Sequence, residues 1–112
     1  MTLKSSRLSP LALAILSALA AASSASAEPP DAKQVATGEQ IYADYCSNCH
    51  GDGLRNTSGG VTFDLRRLHK EEHDRFLHSV LEGKRQMPPW RGALEEQQIE
   101  SIWAYIRATV DQ

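Results

Sequence analysis

Cys46-Ser47-Asn48-Cys49-His50 is the stretch around which the rest of the chain is read. On a helical turn, positions i, i+3 and i+4 share one face. Two thiols and an imidazole are thereby presented together. The thiols can each form a thioether with one of the two vinyl groups of a haem. The imidazole, locked beside the second thioether, is placed beneath the ring with a nitrogen aimed at the iron. C-x-x-C-H is the attachment pattern of a c-type haem. Cys46 and Cys49 are the expected covalent anchors and His50 the expected first axial ligand.

Other chemistries use a pair of cysteines at this spacing. A dithiol redox motif wants a strand–helix setting, and no strand-like stretch precedes Cys46. A structural zinc site needs four ligands, and the chain has no second C-x-x-C, although histidines could complete one. Both cysteines of the chain lie inside the motif. Three residues apart, they close almost no loop, so a disulfide between them would give little stability.

The N-terminus carries an export signal. Lys4 and Arg7 form a positive segment, an apolar run extends from Leu8 to Ala22, and Ala25-Ser26-Ala27 is an A-x-A cleavage site. The run is short and Ala-rich for a membrane span. Residues 1–27 are therefore expected to be a cleaved secretory signal, residues 28–112 a single mono-haem domain, and the location periplasmic. No membrane span should remain after cleavage. A core of this size is marginal by itself, and a covalently held porphyrin would supply the missing apolar centre.

The chain has 12 basic and 14 acidic residues, a net charge of −2. Lys4 and Arg7 leave with the signal, so the remainder is more acidic still. That balance argues against nucleic acid as a partner.

Beyond the signal the sequence predicts helices and no strand of any length. A first helix is expected from Asp31 or Ala32 to Asn48, with Val35, Ile41, Tyr42 and Tyr45 near one face. Gly38 lies inside it, which requires either close approach of another helix or a helix that begins only near Thr37. Gly51 to Gly60 reads as loop. Val61 to Leu65 reads as an extended apolar stretch against the ring edge. A second helix is expected over about Lys70–Glu82, with Phe76, Leu77, Val80 and Leu81 buried. His73 should border that face and His78 point away. A third should run from Leu94 to Val110 on an Ile99, Ile102, Trp103, Ile106, Val110 stripe.

Met1 departs with the signal, which leaves Met87 as the sole methionine. It lies in Gln86-Met87-Pro88-Pro89-Trp90, a loop stiffened by two prolines. A rigid loop suits a weak thioether ligand, and sulfur opposite imidazole favours reduced iron. Met87 is the expected sixth ligand, with Trp90 shielding the iron from water. His69, His73 or His78 in its place would give bis-histidine ligation. An open sixth position is the third arrangement.

With the haem motif near one end and Met87-Pro88 near the other, the domain resembles the class I c-type cytochromes. Gly38, Tyr42 and Cys46 match the family's Gly–aromatic–Cys stripe, and Ile102 with Tyr105 match the aliphatic–aromatic pair of its last helix. The resemblance implies an all-α shell of three to four helices around one haem, axial ligands His50 and Met87, and helices crossing at Gly38. A narrower likeness joins Phe63-Asp64-Leu65-Arg66, Arg75-Phe76, Gly83-Lys84, Met87-Pro88-Pro89-Trp90 and Ile102-Trp103-Ala104-Tyr105. These look like small cytochromes that serve PQQ-dependent alcohol dehydrogenases. The family usually places a proline after the haem motif, whose carbonyl holds the histidine. Here that region is Ser58-Gly59-Gly60-Val61, and the sequence leaves open which carbonyl orients His50.

The function expected is single-electron transfer rather than catalysis, by a monomer. A periplasmic dehydrogenase would be the donor, and a cytochrome or terminal oxidase the acceptor. Arg66, Arg67, Lys84, Arg85 and Arg91 flank the haem loops in sequence and could steer docking or be scattered solvated charges. A haem enzyme or a ligand-binding sensor would each need an open iron site.

Overall fold

The computed structural model describes residues 2–3 and 31–112. The expected signal over 1–27, apart from Thr2 and Leu3, and the lead-in at 28–30 lie outside the described residues. Four α-helices make up the frame: α1 (Ala32–Tyr45), α2 (Ser47–His50), α3 (His73–Glu82) and α4 (Glu96–Val110). No strand occurs among the described residues, only two isolated bridges, Lys84 with Met87 and Arg91 with Leu94. No described helix is long and apolar enough to cross a membrane.

α1 begins where Asp31 caps it, the carboxylate accepting the Lys33 N–H at 3.1 Å. Gly38 is therefore well inside a helix, and close packing explains it. A Cβ there would lie 1.8 Å from the Ser101 carbonyl oxygen and 3.0 Å from the Ile102 nitrogen of α4. The two helices touch backbone to backbone. One turn on, the buried Tyr42 ring packs on Tyr105 with centroids 5.3 Å apart.

The first helix does not continue to Asn48 as expected. It stops at Tyr45, and α2 starts after Cys46, whose φ of −118° breaks the regular path. The Ser47 hydroxyl donates to the Ala43 carbonyl at 2.7 Å, a back-bond of the kind that bends helices.

The other boundaries also shift. Lys70–Glu72 is a 3-10 turn, so α3 starts only at His73. The Glu72 carboxylate accepts the His69 N–H at 2.9 Å and holds this entry. On α3, Phe76 and Val80 are buried while Leu77 and Leu81 are half-buried. α4 starts at Glu96, not Leu94. Glu95 is its N-cap, and the Glu95 N–H donates to Gln98 Oε1 at 2.9 Å. Leu94 and Ile99 are both buried in the common core. Ile99, Ile102 and Ile106 are almost fully buried, each burial stabilising by roughly 1.5–3 kcal/mol.

Two loop expectations need correction. The Gly51–Gly60 segment contains a 3-10 turn, Asp52–Leu54, and Leu54 is fully buried at φ +65°. Val61 to Leu65 is not a uniformly covered apolar stretch. Val61 is 75% exposed, Phe63 41% exposed, and Leu65 opens a 3-10 turn to Arg67. Asp64 caps that turn through the Arg66 N–H, which removes the chain from the extended path.

Candidate haem-binding site

The motif forms one helical turn around a single acceptor. The Cys46 carbonyl receives the N–H groups of Cys49 at 3.2 Å and His50 at 2.9 Å. Cys46 is half-buried, Cys49 exposed and His50 half-buried. Both cysteines are free thiols. Burial, then the neighbouring Cys49, pushes the Cys46 thiol up to about 11. A reactive redox cysteine is shifted the other way, towards thiolate. Among the described residues no three His, Cys, Asp or Glu side chains gather as a metal-binding group.

His50 is held through its ring. Nδ1 lies 3.0 Å from the Phe63 carbonyl oxygen. A carbonyl only accepts, so Nδ1 carries the hydrogen and Nε2 keeps a free lone pair. This identifies the carbonyl that the sequence left open. It is a backbone group, without any side-chain signature. The neighbouring Thr62 binds the motif as well, its hydroxyl donating to the Cys49 carbonyl at 2.8 Å. Behind the motif, the Tyr42 hydroxyl donates to the Gly51 carbonyl at 2.6 Å. Burial pushes the Tyr42 hydroxyl above its ordinary range, so it stays a donor.

Met87 is fixed by its own backbone. Its N–H donates to the Lys84 carbonyl at 3.0 Å, and its carbonyl accepts the Lys84 N–H at 3.1 Å. The loop is then tied to α3, with the Trp90 N–H donating to Val80 at 2.8 Å and the Arg91 N–H to Leu81 at 3.2 Å. Gly83 lets the loop fold back this closely. It has φ +75°, and a Cβ on it would lie 2.7 Å from the Met87 carbonyl oxygen and 2.8 Å from the Pro89 nitrogen. The Trp90 ring meets Tyr45 edge-on, centroids 5.5 Å apart. Tyr45 immediately precedes Cys46. This contact joins the methionine loop to the C-x-x-C-H turn across some forty residues of chain.

The histidines on and before α3 are engaged elsewhere or exposed. His73 Nε2 is 2.9 Å from the Glu100 carboxylate, and its ring meets Trp103 edge-on at 5.2 Å. Glu100, and to a lesser degree Asp74, raise its pKa. His69 and His78 are exposed.

The residues present fit a haem. Cys46, Leu65, Leu77, Leu81, Met87 and Trp90 pack on the core yet are only partly covered. Half-covered apolar side chains on this core, together with two free thiols and an imidazole held through Nδ1, suit a broad apolar ring with a metal at its centre.

The comparisons agree with this chemistry. A family model described as "Cytochrome C oxidase, cbb3-type, subunit III" matches residues 33–106. The chain is 36% identical over 78 residues to quinohemoprotein alcohol dehydrogenase ADH-IIG of Pseudomonas putida, covering 68% of this chain and 11% of that protein. A second dehydrogenase of that organism, ADH IIB, is 35% identical over 77 residues, again 11% of its length. The chain thus spans about a tenth of these enzymes. A cytochrome c6 of Synechococcus sp. is 31% identical over 86 residues, covering 70% of this chain and 72% of its own. No solved structure matches. The chain belongs to the class I c-type cytochromes, electron carriers whose haem c is covalently bound.

Proposed function

We propose that this protein is a periplasmic single-electron carrier with one haem, bound through Cys46 and Cys49 and ligated by His50 and Met87. The observation that carries the reading is the Tyr45–Trp90 contact, which brings the Met87 loop beside the His50 turn. When bound, the haem supplies a one-electron ferric/ferrous couple. Everything else is the work of the chain. Phe63 orients the imidazole by accepting its Nδ1–H. The Lys84 bonds and the Gly83 contact hold the Met87 backbone in place. Trp90 would keep water from the methionine side. With His50 and Met87 both engaged on a stiff frame, no position would be left for a substrate and little rearrangement would accompany the change of redox state.

The donor proposed is a PQQ-type dehydrogenase. Its support is the likeness to the two quinohemoprotein alcohol dehydrogenases of Pseudomonas putida. A cytochrome or terminal oxidase would accept the electron. Of the basic residues near the loops, Arg66 is paired with Asp64 at 2.9 Å and Arg91 with Glu82. Arg67, Lys84 and Arg85 are exposed and form no ion pair among the described residues. They are the charges available to steer a partner.

The test has two parts. Acid–acetone extraction of the purified protein should leave the colour with the polypeptide, and Cys46→Ala with Cys49→Ala should yield little stable holoprotein. Stopped-flow mixing with a reduced PQQ dehydrogenase should then reduce the haem at a rate that falls with salt. Haem entering the organic phase contradicts the covalent reading. No reduction by the dehydrogenase contradicts the donor assignment alone.

A further inference from the structure

We propose that Asn56 is a positioning residue for the His50 imidazole, doing through Thr62 and Phe63 what a proline in this loop would do by rigidity. The inference rests on His50 being the axial base. The loop that must hold the Phe63 carbonyl has no stiffness of its own. Gly59 and Gly60 sit at φ +67° and +96°, and a Cβ on either would meet nothing within 4 Å. Without cross-links, such a tip would let the carbonyl wander.

Three of the cross-links are made by Asn56 itself. Its Nδ2 donates to the Thr62 carbonyl at 2.7 Å. Its Oδ1 accepts the Ser58 N–H at 2.8 Å and the Ser58 hydroxyl at 2.6 Å. Ser58 Oγ in turn accepts the Thr62 N–H at 3.0 Å. Both backbone polar groups of Thr62 are therefore held by the Asn56–Ser58 pair. The Thr62 hydroxyl adds a third tie, to the Cys49 carbonyl. One residue further on, the Phe63 carbonyl meets His50 Nδ1. Asn56, Ser58 and Thr62 are all half-buried, where water competes less for these bonds.

The residue type matters. Asparagine offers a donor and an acceptor at one terminus, and this network uses both. Aspartate would set a carboxylate oxygen against the Thr62 carbonyl, and alanine would leave that carbonyl and the two Ser58 donors without their Asn56 partner. The consequence reaches the iron ligand. A histidine that donates its Nδ1–H to a fixed carbonyl is a more basic ligand with a fixed ring plane. A more basic ligand favours ferric iron and lowers the potential. Loosening the carbonyl should raise it.

The experiment compares holoprotein of the parent, Asn56→Ala, Asn56→Asp, Ser58→Ala and the control Thr57→Ala. It reads the reduction potential and, by NMR, the exchange of the His50 ring N–H with solvent. Both Asn56 variants should raise the potential and speed ring N–H exchange by about tenfold, the loss of roughly one hydrogen bond. Thr57→Ala should match the parent. A folded Asn56→Ala with parental potential and exchange overturns the inference. If Asn56→Ala fails to retain haem, Ser58→Ala decides in its place, since it removes one arm of the network. It must shift both readouts in the same direction, and parental values there overturn the inference equally. A parent lacking the low-spin spectrum of a histidine-ligated haem would overturn the axial role of His50, and this inference with it. A low-spin parent with unmoved variants overturns the Asn56 role alone.

Discussion

The place a Cβ on Gly38 would occupy lies 1.8 Å from the carbonyl oxygen of Ser101. That oxygen is backbone in the middle of α4, so it cannot swing away as a side-chain tip would. α1 and α4 cross at van der Waals contact of their main chains, and Tyr42 and Tyr105 fill the next turn.

Gly38→Ala should therefore destabilise the protein although it removes an unfavourable glycine from a helix. The helix-propensity gain is only ~1 kcal/mol. Overpacking against backbone should cost at least about 1–3 kcal/mol, and Gly38→Val more. Urea unfolding of the holoprotein measures this. Parental stability for both variants would mean that the helices do not cross at Gly38.

Gly83 should be as intolerant, for a different reason. Its φ of +75° and ψ of 164° belong to a region that only glycine adopts readily, and its missing Cβ leaves room for the Met87–Pro89 backbone. Gly83→Ala should cost about 1–3 kcal/mol. It should also weaken the sulfur–iron absorption by displacing the Met87 loop. Loss of stability with an unchanged absorption spectrum would separate the fold from the ligand loop and refute the second half of this prediction.

His73 should make stability depend on pH in a defined sense. Its pKa is raised above the ordinary 6.5 by the Glu100 carboxylate and, less, by Asp74, with Trp103 against the ring. The folded state thus holds the proton more tightly than the unfolded state. The contribution is fully present below about 6.5 and is lost as pH rises through the higher folded pKa. With the pair about one-third exposed (34% for each side chain), the effect should stay under about 1 kcal/mol. The parent's stability margin over His73→Gln should shrink between pH 6 and 9. A margin that grows with pH would show the proton to be bound more weakly in the folded state.

Much of this arrangement was legible from residue spacing. The periodicity of α3 and α4, the start of α1 at Asp31 or Ala32, and the Gly38–Tyr42–Cys46 stripe all follow from side chains whose chemistry is local. What was not legible depends on distant or backbone groups. The Phe63 carbonyl that holds His50 has no side-chain signal, because any residue supplies a carbonyl. Leu54 lies in a glycine-rich, polar stretch, and its burial at positive φ follows from the turn after the motif rather than from any pattern. Arg107 is a charged residue outside the apolar stripe of α4. Yet it is buried, its guanidinium over the Trp103 ring at 4.9 Å and donating to the Leu68 carbonyl, while its Nε has no partner among the described residues. The break at Cys46 coincides with a Ser47 back-bond to the Ala43 carbonyl.

Met87 on the iron is the central claim, and it separates a carrier from a haem enzyme or sensor. Its backbone is pinned to Lys84, its loop is seated on Gly83 and α3, and Trp90 reaches Tyr45 beside the haem motif. The absorption spectrum of the oxidised protein, with and without the substitution Met87→Ala, tests this most directly. The parent should show the weak red charge-transfer band of sulfur bound to ferric iron and, once reduced, should resist carbon monoxide. Met87→Ala should lose the band, lower the potential and bind carbon monoxide while the haem stays attached. A parent without that band, whose reduced form takes up carbon monoxide readily, would contradict the account.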